Sequence, residues 1–280
     1  MLSVTSLSSF LYCPRKLFLQ KVLKLEEPPS PALVLGSLRH EVHERMAEDE
    51  EAIVCGISEY LEYSVFLKKF TDPASTALRN GVIRHSGELR LFDLDLAEVF
   101  RRSWGYLLPQ IEDRVKLLHR FLKREEVYGE ELWKCITPKL LVEERVSDSE
   151  LGLRGIVDRI ELFDEEWIPI ELKTGKAPHR GVWPGHEAQI GAYLLLLKLA
   201  KRPVSTGFIH YLDSDVKRAV TLSPFLVVHI RKLIGQVKNV LSDSLPPPHL
   251  MQKKKCDACS LKEQCYNAKF IEDKIRKVKG

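Results

Sequence analysis

Nowhere in its 280 residues does the chain hold 18 consecutive apolar positions, which excludes a membrane-spanning helix of ordinary length. Charge imbalance is scarce too. Forty-three Lys and Arg against 39 Asp and Glu leave +4, so the whole-chain balance announces no nucleic-acid partner. Six unevenly spaced cysteines are too few for a secreted disulfide scaffold; they point to a reducing cytoplasm, where clustered thiols bind metal. The stretch from Met1 to Lys16 carries its positive charges after its apolar residues and lacks a small-residue cleavage site, so no signal peptide is expected. Internal repeats and low-complexity tracts are absent. His40-Glu41-Val42-His43 spaces its histidines three apart rather than four, which disfavours zinc-protease chemistry.

What is present is 44% apolar residues, ample for a core. A helix is expected from Thr5 to about Lys24, kinked or interrupted at Pro14. Glu26 to Pro31 is a connector, and a second helix runs from about Ala32 to Glu50. Residues 56–135 read as mostly helical, best from Asp95 to Lys123, with a short hairpin around Arg84 to Leu94 and no recognisable motif. The character changes near Pro138. Leu140–Val146, Leu153–Leu162 and Trp167–Lys173 read as three successive strands. A helix from Gly185 to Lys201, strands Val204–Leu212 and Lys217–Leu222, and a helix from Pro224 to Leu241 follow, which makes an α/β core with a mixed sheet. Pro246-Pro247-Pro248 then sets off a cysteine-bearing tail.

Three ionisable residues stand out. Asp158 lies among Ile156, Val157 and Ile160; Glu171 and Lys173 flank Leu172 and so share one face of their strand. Such charges on an apolar sheet need neutralising, and Mg²⁺ or Mn²⁺ does so with carboxylate ligands. Phosphodiester hydrolysis uses this set: metal-held Asp and Glu, and a lysine that orients water or offsets developing charge. The same pattern also fits a surface hairpin held by ordinary ion pairs. Gln189 and Tyr193, four apart, share a helix face that would point at Glu171; a half-buried Tyr with a surface Gln fits equally.

Taken in order, Gly36-x-x-x-His40, Gly155-Ile156-Val157-Asp158, Glu171-Leu172-Lys173-Thr174-Gly175 and Gln189-x-x-x-Tyr193 resemble the RecB-type branch of the PD-(D/E)xK nucleases. With Tyr12-Cys13-Pro14-Arg15-Lys16 in front and a cysteine triplet behind, the chain is similar to the CRISPR-associated exonuclease of that branch, the fourth Cas family. The resemblance implies a restriction-endonuclease-like core, with His40, Asp158, Glu171 and the Leu172 carbonyl as metal ligands. It makes Lys173 the catalytic lysine, with Gln189 and Tyr193 positioning DNA or that lysine. It further implies Mg²⁺- or Mn²⁺-dependent cutting of single-stranded DNA ends during spacer processing, beside the adaptation integrase proteins. Val157 replaces the name-giving proline, and the long span between His40 and Asp158 implies a subfamily-specific helical insertion.

Cys256, Cys259 and Cys265 supply three thiols, so a four-thiolate site needs a distant fourth, and from the triplet alone zinc and iron–sulfur both remain open. The resemblance assigns Cys13 as the fourth ligand and a 4Fe–4S cluster as the occupant. Cys55 and Cys135 are then spare and expected in the core. Arg15, Lys16, Lys253, Lys254 and Lys255 would line a single-strand path, alongside a basic tail from Lys274 to Lys279. The expected organisation is 1–30 (N-terminal helical segment), 31–135 (helical region with the His motif and insertion), 136–245 (nuclease core) and 246–280 (Fe–S lobe). Two other functions fit the residues: a DNA-binding adaptor in the spacer-acquisition complex, and a repair nuclease of the same fold.

Overall fold

Pro14 stops the first helix rather than bending it: in the computed structural model α1 (Val4–Tyr12) ends at an extended Cys13, and α2 (Pro14–Lys21) starts with the proline at its first turn. The structure describes residues 1–279; Gly280, and the side chains of Val278 and Lys279 at the end of the basic tail, lie outside the described residues. After the connector, Ser30 caps α3 (Pro31–Cys55), whose side-chain oxygen accepts from the Leu33 amide. The region up to 135 is helical: α4 (Tyr63–Arg84), α5 (Ser86–Leu91), α6 (Leu96–Glu125, capped by Asp95) and α7 (Gly129–Cys135). The hairpin expected around Arg84 to Leu94 is not there; α5 occupies it. His85, ahead of α5, bridges Glu88 at 2.8 Å and Glu41 of α3 at 2.9 Å, contacts that favour one short helical turn over a strand pair.

The sheet has six strands. A two-residue β1 (Leu2–Ser3) precedes α1 and was not expected; β2 (Lys139–Asp148), β3 (Leu153–Leu162), β4 (Trp167–Lys173), β5 (Thr206–Tyr211) and β6 (Val216–Thr221) follow. Their order is β1-β3-β4-β5-β6, with β2 on the other edge of β3. Pairing is antiparallel for β2–β3, β3–β4 and β5–β6 and parallel for β1–β3 and β4–β5, so the sheet is mixed. The helix α8 (Pro184–Leu199) links β4 to β5 as the crossover a parallel pair requires, and α9 (Pro224–Ser242) follows β6.

One apolar cluster joins α1, α8 and α9 to a sheet face through Val4, Leu7, Val157, Ile209 and Ile230. A separate cluster unites α3, α4 and α6 through Leu38, Phe66, Leu78, Leu107 and Leu118. A third, small one joins Phe18 and Leu19 of α2 to Leu261 and Ile271, and so brings the two ends of the chain together. The last elements are α10 (Lys253–Asp257), α11 (Lys262–Tyr266) and α12 (Ala268–Lys279). Among the described residues no helix is long and apolar enough to cross a membrane. Cys135, expected in the core, is exposed, and Cys55 is half-buried, because both close helices at the rim of the helical cluster.

Candidate active site and cysteine cluster

Strands β3 and β4 pair only from Arg159–Ile170 to Leu162–Trp167 and then part. In the wedge, Asp158 replaces the missing ladder bond: its Oδ2 accepts from the Leu172 amide at 2.7 Å. Glu171, on the α8 side of β4, accepts from Lys173 Nζ at 2.7 Å and Gln189 Nε2 at 2.6 Å through one oxygen. Gln189 also donates to the Tyr193 hydroxyl at 3.3 Å. His40 Nδ1, from α3, lies 3.9 Å from Asp158 Oδ2. The four motifs therefore meet at one place, at the mouth between the sheet, α3 and α8. Gly155 permits this packing, because a Cβ there would lie 2.5 Å from the Tyr193 ring.

Burial governs the electrostatics. It pushes the Asp158 carboxyl up to about 6, against the Leu172 amide and Lys173. Burial likewise raises Glu171 to about 7, against Lys173. It lowers His40, which Glu171 partly opposes, and raises the Tyr193 hydroxyl. The second Glu171 oxygen, Oε2, is buried with no partner. Among the described residues no three His, Cys, Asp or Glu side chains form a ready metal-binding group; Lys173 and the Leu172 amide hold the two carboxylates instead. Two desolvated carboxylates, an orphan carboxylate oxygen and a neutral imidazole nonetheless fit a hard divalent cation in donor chemistry.

Three neighbours went unread in the sequence. Glu143 sits opposite the wedge with φ of 51°, a left-handed residue that interrupts β2, and its carboxyl is raised by burial and by Glu44. Asp213 accepts from the Gly175 amide at 2.9 Å and from Arg39, whose guanidinium lies 4.8 Å over the Tyr106 ring of α6. This clamp ties the helix of His40 to the loop leaving Lys173. His186, lowered to about 4 by burial and Lys173, contacts the Tyr211 hydroxyl at 3.1 Å. An acid beside Glu144 in a strand was a visible signal for Glu143; Asp213 had none.

At the other end, Cys13, Cys256, Cys259 and Cys265 line one small cavity with Tyr12, and all six cysteines are free. The Lys16 amide donates to Cys13 Sγ at 3.4 Å and Arg15 Nε to Cys265 Sγ at 3.3 Å. N–H donors facing sulfur favour thiolates, so this donor set suits a thiolate-bound metal or cluster. Arg15 is buried, with Nη1 donating to the Pro247 carbonyl at 2.7 Å, so its charge faces inward. Lys16 pairs with Glu27 at 2.8 Å and Lys255 lies over the Tyr12 ring, while Lys253 and Lys254 are exposed.

The comparisons agree with this geometry. The family described as the PD-(D/E)XK nuclease superfamily matches residues 1–266. The DNA replication ATP-dependent helicase/nuclease JHS1 of Arabidopsis thaliana is 24% identical over 272 residues, 90% of this chain and 19% of that protein. The CRISPR-associated exonuclease Cas4 of Rhodospirillum rubrum is 32% identical over 123 residues, 43% of this chain and 37% of that protein. A Cas4/endonuclease Cas1 fusion of Leptospira interrogans is 31% identical over 126 residues, 42% of this chain and 23% of that protein. The chain thus spans 19% to 37% of the length of these curated relatives. Matched along nearly its whole length and built on a mixed sheet flanked by helices, the chain belongs to the PD-(D/E)XK nuclease superfamily.

Proposed function

We propose that the chain is a divalent-metal-dependent deoxyribonuclease acting on single-stranded DNA ends in the cytoplasm. The observation that carries this reading is the buried Glu171, which shares one oxygen between Lys173 and Gln189 and leaves the other unpartnered. In this reading Asp158, Glu171, His40 and the Leu172 carbonyl hold Mg²⁺ or Mn²⁺. The bound ion supplies Lewis acidity at the phosphate and a more acidic water. Glu171 keeps the Lys173 ammonium at the site, where its charge offsets that developing on the phosphate. Gln189, anchored by Tyr193, fixes the Glu171 carboxylate. Water exclusion by α3 and α8 strengthens each of these contacts.

The cysteines would hold a 4Fe–4S cluster that pins the N-terminal segment to the C-terminal lobe. We keep the division at residues 30, 135 and 245 as part of this proposal. Lys253 and Lys254 are the open cations for a strand path, with Lys255 beside them; Arg15 and Lys16 serve the lobe's interior. The Cas4 relatives support a place in CRISPR adaptation, with the integrase as partner. The replication helicase/nuclease, which matches 90% of this chain, favours a second reading: a replication or repair nuclease without that role. The intact Asp158, Glu171 and Lys173 set disfavours an adaptor that only binds DNA.

The test is anaerobic purification, a visible spectrum, and end-labelled single-stranded DNA with Mn²⁺ or with EDTA. Shortening of the label with Mn²⁺ alone, abolished in Asp158→Ala, is expected. A Mn²⁺-supplied protein that leaves DNA intact, or a variant as active as the parent, would overturn the reading.

A further inference from the structure

A cavity of about 630 Å³ separates the helical cluster from the face of the sheet opposite α8. Alternation along the strands sends Glu171 to the α8 side and Leu172 to the cavity side. Register then places Arg159, beside Ile170, and His210, beside Leu172, on the cavity face. His43, one helical turn beyond His40 on α3, also lines it, so the cavity begins about 5 Å along that helix from the proposed metal site.

The walls carry charges that are already matched. Arg114 donates to Glu50 at 2.7 Å, Arg159 lies 3.4 Å from Glu161, Lys217 lies 3.9 Å from the same carboxylate, and His210 Nε2 contacts Asp215 at 2.6 Å. A phosphate would meet Glu50, Glu161 and Asp215 there, so the walls do not favour an anion. What the walls leave over is hydrogen-bonding capacity. Three buried polar atoms lining this one cavity have no partner: Arg159 Nε, His210 Nδ1 and Thr137 Oγ1. Arg159 Nε can only donate. With Nε2 donating to Asp215, His210 Nδ1 accepts, and the threonine hydroxyl does either. His210 is 2% exposed, so the bulk solvent does not satisfy it. Each such atom left alone costs about 1–3 kcal/mol.

A ligand that suits these walls is uncharged, carries adjacent donors and acceptors on an edge, and offers apolar faces to Ile53, Phe70 and Ile111, which complete the lining. That is the chemistry of a nucleobase, and the volume lies within the range of small-molecule pockets. We propose that this cavity is a pocket for a single unstacked nucleobase, held at its edge by Arg159, His210 and Thr137. The base could be carried by the DNA strand under cleavage or by a free nucleotide; only the first source rests on the nuclease reading.

The experiment titrates the intact protein, without added metal, with each of the four deoxynucleosides and follows ligand line broadening by NMR. At least one nucleoside should bind. Thr137→Val, which deletes the hydroxyl and keeps the shape, should weaken it at least threefold, and Ala77→Phe, which fills the cavity from α4, at least tenfold. Circular dichroism of each variant checks that it remains folded. In Lys173→Ala, displacement of the nucleoside by a single-stranded oligonucleotide assigns the base to the strand, and its retention assigns the site to free nucleotides; both uphold the pocket. No binding by the folded parent, or equal binding by parent and both folded variants, would overturn it. Because no metal or turnover enters, failure here leaves the cleavage assay to judge the nuclease reading separately.

Discussion

Asp158 and Glu171 stand on adjacent strands backed by a cluster of 23 buried apolar residues, whereas Cys256, Cys259 and Cys265 stand on or between two five-residue helices that bury none of their own residues. The lobe around the thiols has a cluster of only six buried apolar residues. Framework holds the first cluster: the wedge between β3 and β4, the amide of Leu172 and the Gln189–Tyr193 pair fix it through hydrogen bonds within the chain. So small a core cannot do the same for the second. The difference teaches that the two proposed inorganic partners have different jobs, one chemical and one structural.

Substitutions should separate those jobs. The largest effect is expected from Lys173→Ala, which removes the ammonium beside Glu171: cleavage should fall at least about 10³-fold in rate assays while the melting temperature stays within a few degrees. Equal losses of cleavage and of folding would break the comparison. Cys256→Ser comes next. It should abolish visible absorbance and expose the Pro246–Pro248 segment to protease, with cleavage reduced about tenfold and the core still folded. If the whole chain unfolds instead, the lobe is not separable.

Asp213→Ala tests whether the framework extends to the helical insertion. Losing the clamp on Arg39 and the Gly175 amide should lower kcat about fivefold to tenfold with little change in KM, because substrate contacts remain. The smallest effect belongs to His85, between Glu41 and Glu88, both of which raise its pKa by hydrogen bonding. Since the folded value lies above the ordinary one near 6.5, the stabilisation is complete below that pH and is lost as pH rises through the folded value. His85→Gln should therefore destabilise by about 1 kcal/mol at pH 5.5 and less at pH 9, read by urea denaturation. A loss independent of pH would mean that packing, not charge, holds α5.

Much of this architecture was legible because local patterns and burial coincide. The strands β2 to β6 and helices α8 and α9 follow their apolar periods to within a few residues. The wedge residues were legible because ionisable groups interrupt an apolar strand. The insertion was legible as helix but not as arrangement, and the mistaken hairpin shows why: alternating Leu89, Arg90 and Leu91 imitates a strand, while the contact that decides, His85 with Glu41, spans 44 residues. Asp213 lies 174 residues from Arg39, and no local signal encodes such a pair. Cys135 reads as core by residue type and is exposed because its helix ends at the rim.

The central claim is that the buried acids of the sheet hold a divalent cation, and Mn²⁺ titration followed by electron paramagnetic resonance tests it most directly. The parent should bind Mn²⁺ at this site, and Glu171→Gln, which keeps the shape and removes the charge, should weaken that binding at least tenfold while remaining folded. Equal Mn²⁺ affinity in the two folded proteins, or no binding by the parent, would contradict the account.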